Sequence, residues 1–220
     1  MTRWVALVPA EGCEAYGRAK GAVEGVLASG AAPDLPGSFG GPGATWDLTS
    51  ERPPAEIAAA LGLPAPLDTL ALTPVRARAV PWSGPRVKRT LLLAVKPDAP
   101  AGLVARLEAD LLAMPDHIAA IRSWALSRVD RTRTPGRWTH VWEQEFADVA
   151  GLTGEYLGHA FHWTCVDRWF DGEVPGGGVV EPLVAHLFRW SGEPVLVDSG
   201  VEVDGGVYVD GARSRTRDSG

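Results

Sequence analysis

Two stretches of this sequence concentrate side chains that could do chemistry. At 138–146, WTHVWEQEF, strand alternation puts Trp138, His140, Trp142, Gln144 and Phe146 on one face and Thr139, Val141, Glu143 and Glu145 on the other. An aromatic face with one imidazole and one amide suits a ligand cavity that is mostly apolar with a few polar groups. It equally suits a core strand whose His140 is satisfied by a hydrogen bond. The second stretch, EYLGHAFHWTCVDRWFD at 155–171, brings together a phenol and two imidazoles, Tyr156, His159 and His162. His159 and His162 are spaced i, i+3 with Asp167 nearby. Zinc takes three or four closely spaced ligands and no Cys pair assists, so no metal is expected there.

The elements that must position these residues can be read along the chain. In the carboxyl-terminal half, 90–95 (TLLLAV) predicts a strand, and Leu103, Val104, Leu107, Leu111 and Leu112 form the apolar stripe of a helix over about 100–113. Strands over 121–129 and 138–146 flank a polar hairpin. Asp148 suits the N-cap of a helix through Tyr156 and Leu157. A further helical stretch from His162 to Phe170 ends before Gly176, Gly177 and Gly178, and 183–190 is the last strand. The amino-terminal half repeats this order more loosely. It has a strand at 5–8, an Ala-rich helix over 11–29 with Gly30 as C-cap, and a Pro/Gly-rich loop over 33–43. A strand at 44–48, a short helix over 54–61 and an extended stretch over 67–80 follow, then a linker at 81–85. VALVP at 5–9 aligns with LAVKP at 93–97.

Both halves therefore read as the ferredoxin-like plan, each with one sheet face under helices and the other buried against its neighbour. The expected class is α+β, with tandem ferredoxin-like domains forming a dimeric-type α/β barrel within one chain. The domains would span 1–85 and 86–190, the second carrying the site. Residues 191–220 would add a hairpin, VEVDGGVYV, and a mobile tail. Trp124, Trp138 and Trp142 are expected on the face that meets the other half, being too large a patch to leave in water.

From about residue 89 to 190, the order of elements and the motif at 155–171 resemble the stress-responsive dimeric α/β-barrel (Dabb) family. Members carry a Tyr and then a short His-x-x-His-like turn after the third strand, and a Thr-His strand motif similar to Thr139-His140. Ala160 stands where a Pro is common. The resemblance implies a catalytic pair, Tyr156 and His162, since a plant cyclase of the family uses a similar Tyr-x5-His pair. On a continuous helix six residues turn by roughly 600°, leaving the two about 120° apart, so they converge only if the chain bends. Gly158 is the natural place for the bend. A neutral His can then remove a proton between two carbonyls, and a Tyr hydroxyl can donate to the enolate oxygen. His140, Trp138, Trp142, Trp124 and His159 would contact substrate. The expected activity is a cofactor-independent, aldol-type cyclisation of a poly-β-keto or related intermediate. The alternatives are a non-catalytic small-molecule-binding or stress-associated protein of this fold, and an oxygenase of the wider superfamily, cofactor-free or holding haem through a His. No cofactor is expected.

Composition narrows the partners. The 220 residues carry a net charge of −6 with only three lysines, so the basic footprint of a nucleic-acid binder is missing. No apolar run approaches the roughly 18 residues of a membrane span. Cys13 and Cys165 form no disulfide framework, which fits a reducing cytoplasm. All five His follow residue 116, so only one half carries imidazoles. Gly37, Gly40, Gly41 and Gly43 precede a strand rather than a helix and make no phosphate loop. Arg128, Arg131, Arg133 and Arg137 cluster around a hairpin, either as a solvated tip or as a grip on an acidic tail. The expected partner is a small-molecule substrate, with no nucleic acid or membrane. Association of two tandem chains into a homodimer is left open.

Overall fold

The structure, a computed structural model, describes residues 1–194 and 196. Eight strands form one antiparallel sheet: β1 (Thr2–Pro9), β2 (Val26–Pro33), β3 (Gly43–Ser50), β4 (Asp68–Arg78), β5 (Arg86–Leu93), β6 (Ser123–Val129), β7 (His140–Phe146) and β8 (Ala185–Ser191). Their spatial order is β2-β3-β1-β4-β6-β7-β5-β8. Each half thus arranges its four strands in the same way, second, third, first, fourth. The halves join where β4 pairs with β6. At the other end the loop after β2 meets β8 through isolated bridges, Asp34 to Arg189 and Phe39 to His186, which nearly close the sheet into a barrel. The α+β tandem architecture is as the sequence leads one to expect.

Three apolar clusters follow from this curvature. On the outer face of the first half, Trp4, Ala6, Val8, Trp46 and Leu48 pack under Tyr16 and under Ile57 of α3 (Pro54–Ala60). On the outer face of the second half, Leu91, Leu93, Trp124, Trp142 and Phe146 pack under Leu107, Leu111 and Met114 of α4 (Ala101–His117) and under the segment holding Tyr156. Between the halves lies the lumen, where Val5, Leu7, Leu70 and Leu72 meet Leu92, Trp138, Val141 and Leu187.

The lumen also holds charge. Lys88 Nζ lies 2.7 Å from Asp47 and 2.8 Å from Glu143, and Arg3 bridges the same two carboxylates at 3.2 and 2.5 Å. Arg189 reaches Asp47 at 2.6 Å, and Arg86 pairs with Glu145 at 3.1 Å. Lys88, Arg189 and Arg3 together hold the Asp47 carboxyl far below its ordinary range, against the opposing effect of burial.

Four expectations are corrected. The helix over 11–29 is absent. Only two single turns form, α1 (Glu14–Gly17) and α2 (Ala19–Ala22), and the chain then enters β2. Gly21 and Gly25 both take φ of 79°, which ends any right-handed helix, and pairing with β3 overrides the helix propensity of the alanines. Gly30 is therefore a strand residue whose carbonyl accepts from Arg189. The likeness of 5–9 to 93–97 is no structural equivalence, because Val5 faces the lumen whereas Leu93 lies under the helices at the end of β5. Of the three tryptophans expected between the halves, Trp124 and Trp142 face the helices. Trp138 alone faces the lumen, its indole N–H donating to Asp68 at 3.0 Å. It can do so because β7 begins only at His140, which frees Trp138 from the alternation. The hairpin expected at 201–209 lies outside the described residues.

Candidate active site under the helices

The outer face of the second sheet carries a row of side chains across four adjacent strands. Trp124 on β6 is opposite Gln144 on β7, Gln144 opposite Arg89 on β5, and Arg89 opposite Phe188 on β8. The next row of that face is Leu126, Trp142, Leu91 and His186. Neighbours across such a ladder have Cβ atoms about 5 Å apart, so the sheet alone fixes which groups meet.

The segment from 148 to 170 covers these rows. Asp148 Oδ1 accepts from the Gly151 N–H at 2.8 Å, the cap expected from the sequence. The chain then widens into π-helical turns at Gly151–Tyr156 and His162–Val166, followed by a 3₁₀ turn at Asp167–Trp169. The helical pattern breaks at His159, one residue beyond the Gly158 expected to bend, and the His159 ring accepts from the Phe161 N–H at 3.2 Å. π-turns are rare and often mark functional sites. Together the turns and the break bring the Tyr156 and His162 rings to 4.8 Å, edge to face at 72°.

Tyr156 is 1 % exposed and packs edge-on against Phe146. Burial raises its pKa, only partly offset by Arg89 and by hydrogen bonding with Gln144, so at neutral pH it is a phenol and a donor. The Arg89 guanidinium stands over the Tyr156 ring at 4.9 Å and donates to Gln144 Oε1 at 2.7 Å and to His186 Nε2 at 2.5 Å. Burial, Arg89 and His162 push His186 down to about 2, so it is neutral and accepts at Nε2. His162 Nδ1 is 3.5 Å from Asp167 Oδ1 and makes no hydrogen bond. The indole nitrogens of Trp124 and Trp142 are also buried without partners. Among the described residues no group of three His, Cys, Asp or Glu side chains could hold a metal ion.

Two expected contacts fall elsewhere. His140 lies near the opposite end of β7 from Gln144, with its ring nitrogens 3.1 Å from Glu108 Oε1 and 2.9 Å from Thr139 Oγ1. Burial lowers its pKa although Glu108 opposes the shift. Glu108 is itself gripped by Arg128 at 2.7 and 2.8 Å, so His140 completes a polar buttress on α4. Trp138, in the lumen, is on the other side of the sheet. Conversely, Arg89 and His186 belong to the constellation without having been singled out. The visible signal is Arg89 at an alternating position among Val87, Leu91 and Leu93. An open cavity of about 680 Å³ lies away from all of these groups, beside β2 and the end of β8, with Arg3, Asp47 and Arg189 in its wall.

Residues 87–180 match the model of the Stress Responsive A/B Barrel Domain family, Dabb. This stretch is a Dabb domain. It contains Arg89, Gln144, Tyr156 and His162, while His186 lies just beyond it. Two solved structures share the fold of the larger chain. One is a candidate monooxygenase from Fusobacterium nucleatum subsp. nucleatum, 11 % identical with a TM-score of 0.52 over 84 % of this chain and 89 % of that one. The other is a candidate monooxygenase from Lactobacillus acidophilus NCFM, 12 % identical with a TM-score of 0.52 over 84 % and 91 %. At such identities the likeness concerns the fold alone. No curated protein matches the chain. No helix among the described residues is long and apolar enough to cross a membrane.

Proposed function

We propose that the Dabb domain of this protein catalyses a cofactor-independent, aldol-type ring closure of a poly-β-keto or related enolisable intermediate. The observation that carries this reading is the approach of Tyr156 and His162 to 4.8 Å, with the imidazole Nδ1 free of hydrogen bonds. A ring nitrogen of His162 removes a proton from the carbon between two carbonyls, and the electron pair moves onto the carbonyl oxygen. That oxygen takes a hydrogen bond from the Tyr156 phenol, and the Arg89 cation behind the ring stabilises the negative charge. The enolate carbon attacks a second carbonyl of the same chain, and the alkoxide formed recovers the proton from His162. Trp124 and Trp142, 5.8 Å apart, would wall the folded substrate, and His140 would act as a support rather than a substrate contact.

Division of labour follows the two halves. Residues 86–190 would carry the site, and residues 1–85 would supply the opposite wall of the lumen. The barrel nearly closes within one chain, so a second copy is not needed to complete it. The cytoplasm is the compartment we assign, since both Cys13 and Cys165 are free thiols.

The decisive experiment offers synthetic tri- and tetraketides, both as free acids and as thioesters, to the wild type, His162→Ala and Tyr156→Phe. Ring formation that depends on both side chains is expected, whereas undiminished cyclisation by His162→Ala overturns the reading. A second reading, binding without turnover, is favoured by the unpartnered donors in the same layer, which suit a bound ligand equally well. Tight ligand binding with no ring closure would select it. An oxygenase reading draws on the description of the two structural neighbours, and product formation that requires dioxygen would select that one.

A further inference from the structure

Arg89 is a buried guanidinium, 3 % exposed, in a layer that gives it no counter-charge. Among the described residues it forms no ion pair. Its hydrogen-bond partners, the Gln144 amide, the His186 imidazole and the Tyr156 phenol, are all neutral. Asp167 is the carboxylate felt nearby, but its side chain is 52 % exposed and directed at His162. Burial pulls the Arg89 pKa below its ordinary range, yet a guanidinium keeps its proton in proteins. A buried cation is ordinarily paired, because desolvation without a partner is strongly unfavourable. The lumen obeys that rule, with each of its cations against a carboxylate.

The other unsatisfied groups of this face point the same way. The Trp124 and Trp142 indole N–H groups are both donors, and both lack an acceptor. Trp124 and Gln144 share the sheet row of Arg89, and Trp142 stands in the next. One fixed cation and two idle indole donors form a buried layer that lacks acceptors and negative charge. Two aromatic walls flank it, and His162, with 13 % of its side chain exposed, lies on the solvent side of the layer.

We propose that this layer is an anion site, and that the molecule acted on beside Tyr156 and His162 carries a carboxylate seated on Arg89. The class implied is an aromatic or poly-enolic carboxylic acid, free rather than masked as an ester or amide. The proposal rests on the reading of this layer as the reaction site, but the anion site can be tested without turnover. Salicylate, a stable acid of the right shape, and salicylamide, its neutral counterpart, serve as probes. Their affinities are measured by calorimetry on the full chain as wild type, Arg89→Met, Arg89→Lys and His162→Ala, each first shown to be folded by circular dichroism and thermal melting.

The wild type should prefer salicylate by tenfold or more. Arg89→Met should lose that preference, Arg89→Lys should keep part of it, and His162→Ala should keep nearly all. Equal affinity for the two probes, no binding of salicylate to the wild type at millimolar concentration, or a preference that survives in Arg89→Met overturns the proposal. If Arg89→Met does not fold, Arg89→Lys and Gln144→Leu decide it, since a merely structural role for the row predicts unchanged discrimination in both. A preserved preference with no cyclisation of any ketide would leave the anion site standing and remove the cyclase reading. Cyclisation of ketides with no preference between the probes would do the reverse.

Discussion

The two buried polar layers of this molecule lie on opposite faces of the same strands and are built on opposite rules. In the lumen, Lys88 and Arg3 share Asp47 and Glu143, Arg189 reaches Asp47, and Arg86 meets Glu145. One residue further along β5, on the face under the helices, Arg89 meets only neutral groups at hydrogen-bond distance, an amide, an imidazole and the Tyr156 phenol. The charges of the first layer are answered from within the protein, so that layer holds the two halves in register. The charge of the second is not, and side chains able to move protons surround it. The contrast locates function more sharply than burial does, because the side chains of both layers are largely buried.

The comparison can be broken by substitution. The largest effect is expected from His162→Ala, which should lower ring closure by about 10²–10⁴-fold while thermal melting stays close to wild type. A folded variant with full activity would leave the helix-covered layer without its base. Next in size, Lys88→Met should destabilise the protein by about 3 kcal/mol, since it removes a buried cation shared by two buried carboxylates and leaves Glu143 with Arg3 alone. Arg89→Met, which strands no charge, should cost far less or even stabilise. Urea denaturation of both variants measures the gap, and equal losses would erase the distinction between the layers.

Acid provides a gentler probe. The folded-state pKa of His186 is depressed to about 2, so between there and its ordinary value the unfolded chain binds a proton that the native chain does not. Stability therefore falls as the pH drops below about 6.5, by at most about 1.4 kcal/mol per pH unit for one such group. His140, also depressed, adds to the slope. Asp47 acts later. Its stabilisation is complete above the ordinary carboxylate range and is lost as the pH falls below that range toward its lowered folded-state value. Melting temperature should thus decline between pH 6.5 and 4.5, and His186→Gln should flatten that decline. An unchanged profile in this variant would mean that His186 is not held neutral. The smallest effect belongs to the surface, where breaking the exposed Arg52–Glu56 pair by Glu56→Gln should change stability by about 0.5 kcal/mol or less.

Much of this was legible in the residues. Alternation and helical spacing locate α4, the Asp148 cap and the strands other than β2, and the Tyr156–His162 spacing demands a bend that the chain supplies at His159. Which face of β7 meets the lumen was not legible, because aromatic and acidic faces are both buried here, and only the closure of the barrel decides which of them the helices cover. Arg89 was missed for a related reason. A strand taken to begin at 90 omits it, whereas β5 begins at Arg86, and its Lys-Arg pair is split between two buried layers. The failure at 11–29 is one of composition, since alanine favours a helix only where no neighbouring strand claims the backbone.

The seams between the halves differ as well. β4 and β6 are laced together from Leu72–Val129 to Arg78–Trp124, whereas β8 meets the other half not as a paired strand but through the isolated bridges Asp34–Arg189 and Phe39–His186 and the side chains of Ser38 and Arg189. A barrel made from two identical chains must make both seams alike, because a twofold axis copies every contact. A chain that holds both halves is released from that obligation. It can spend its pairing on one side and leave the other ajar, and each half can drift in sequence without the same change being forced on its twin. The five imidazoles confined to one half, and the single loosely fastened edge, are two faces of that same broken symmetry.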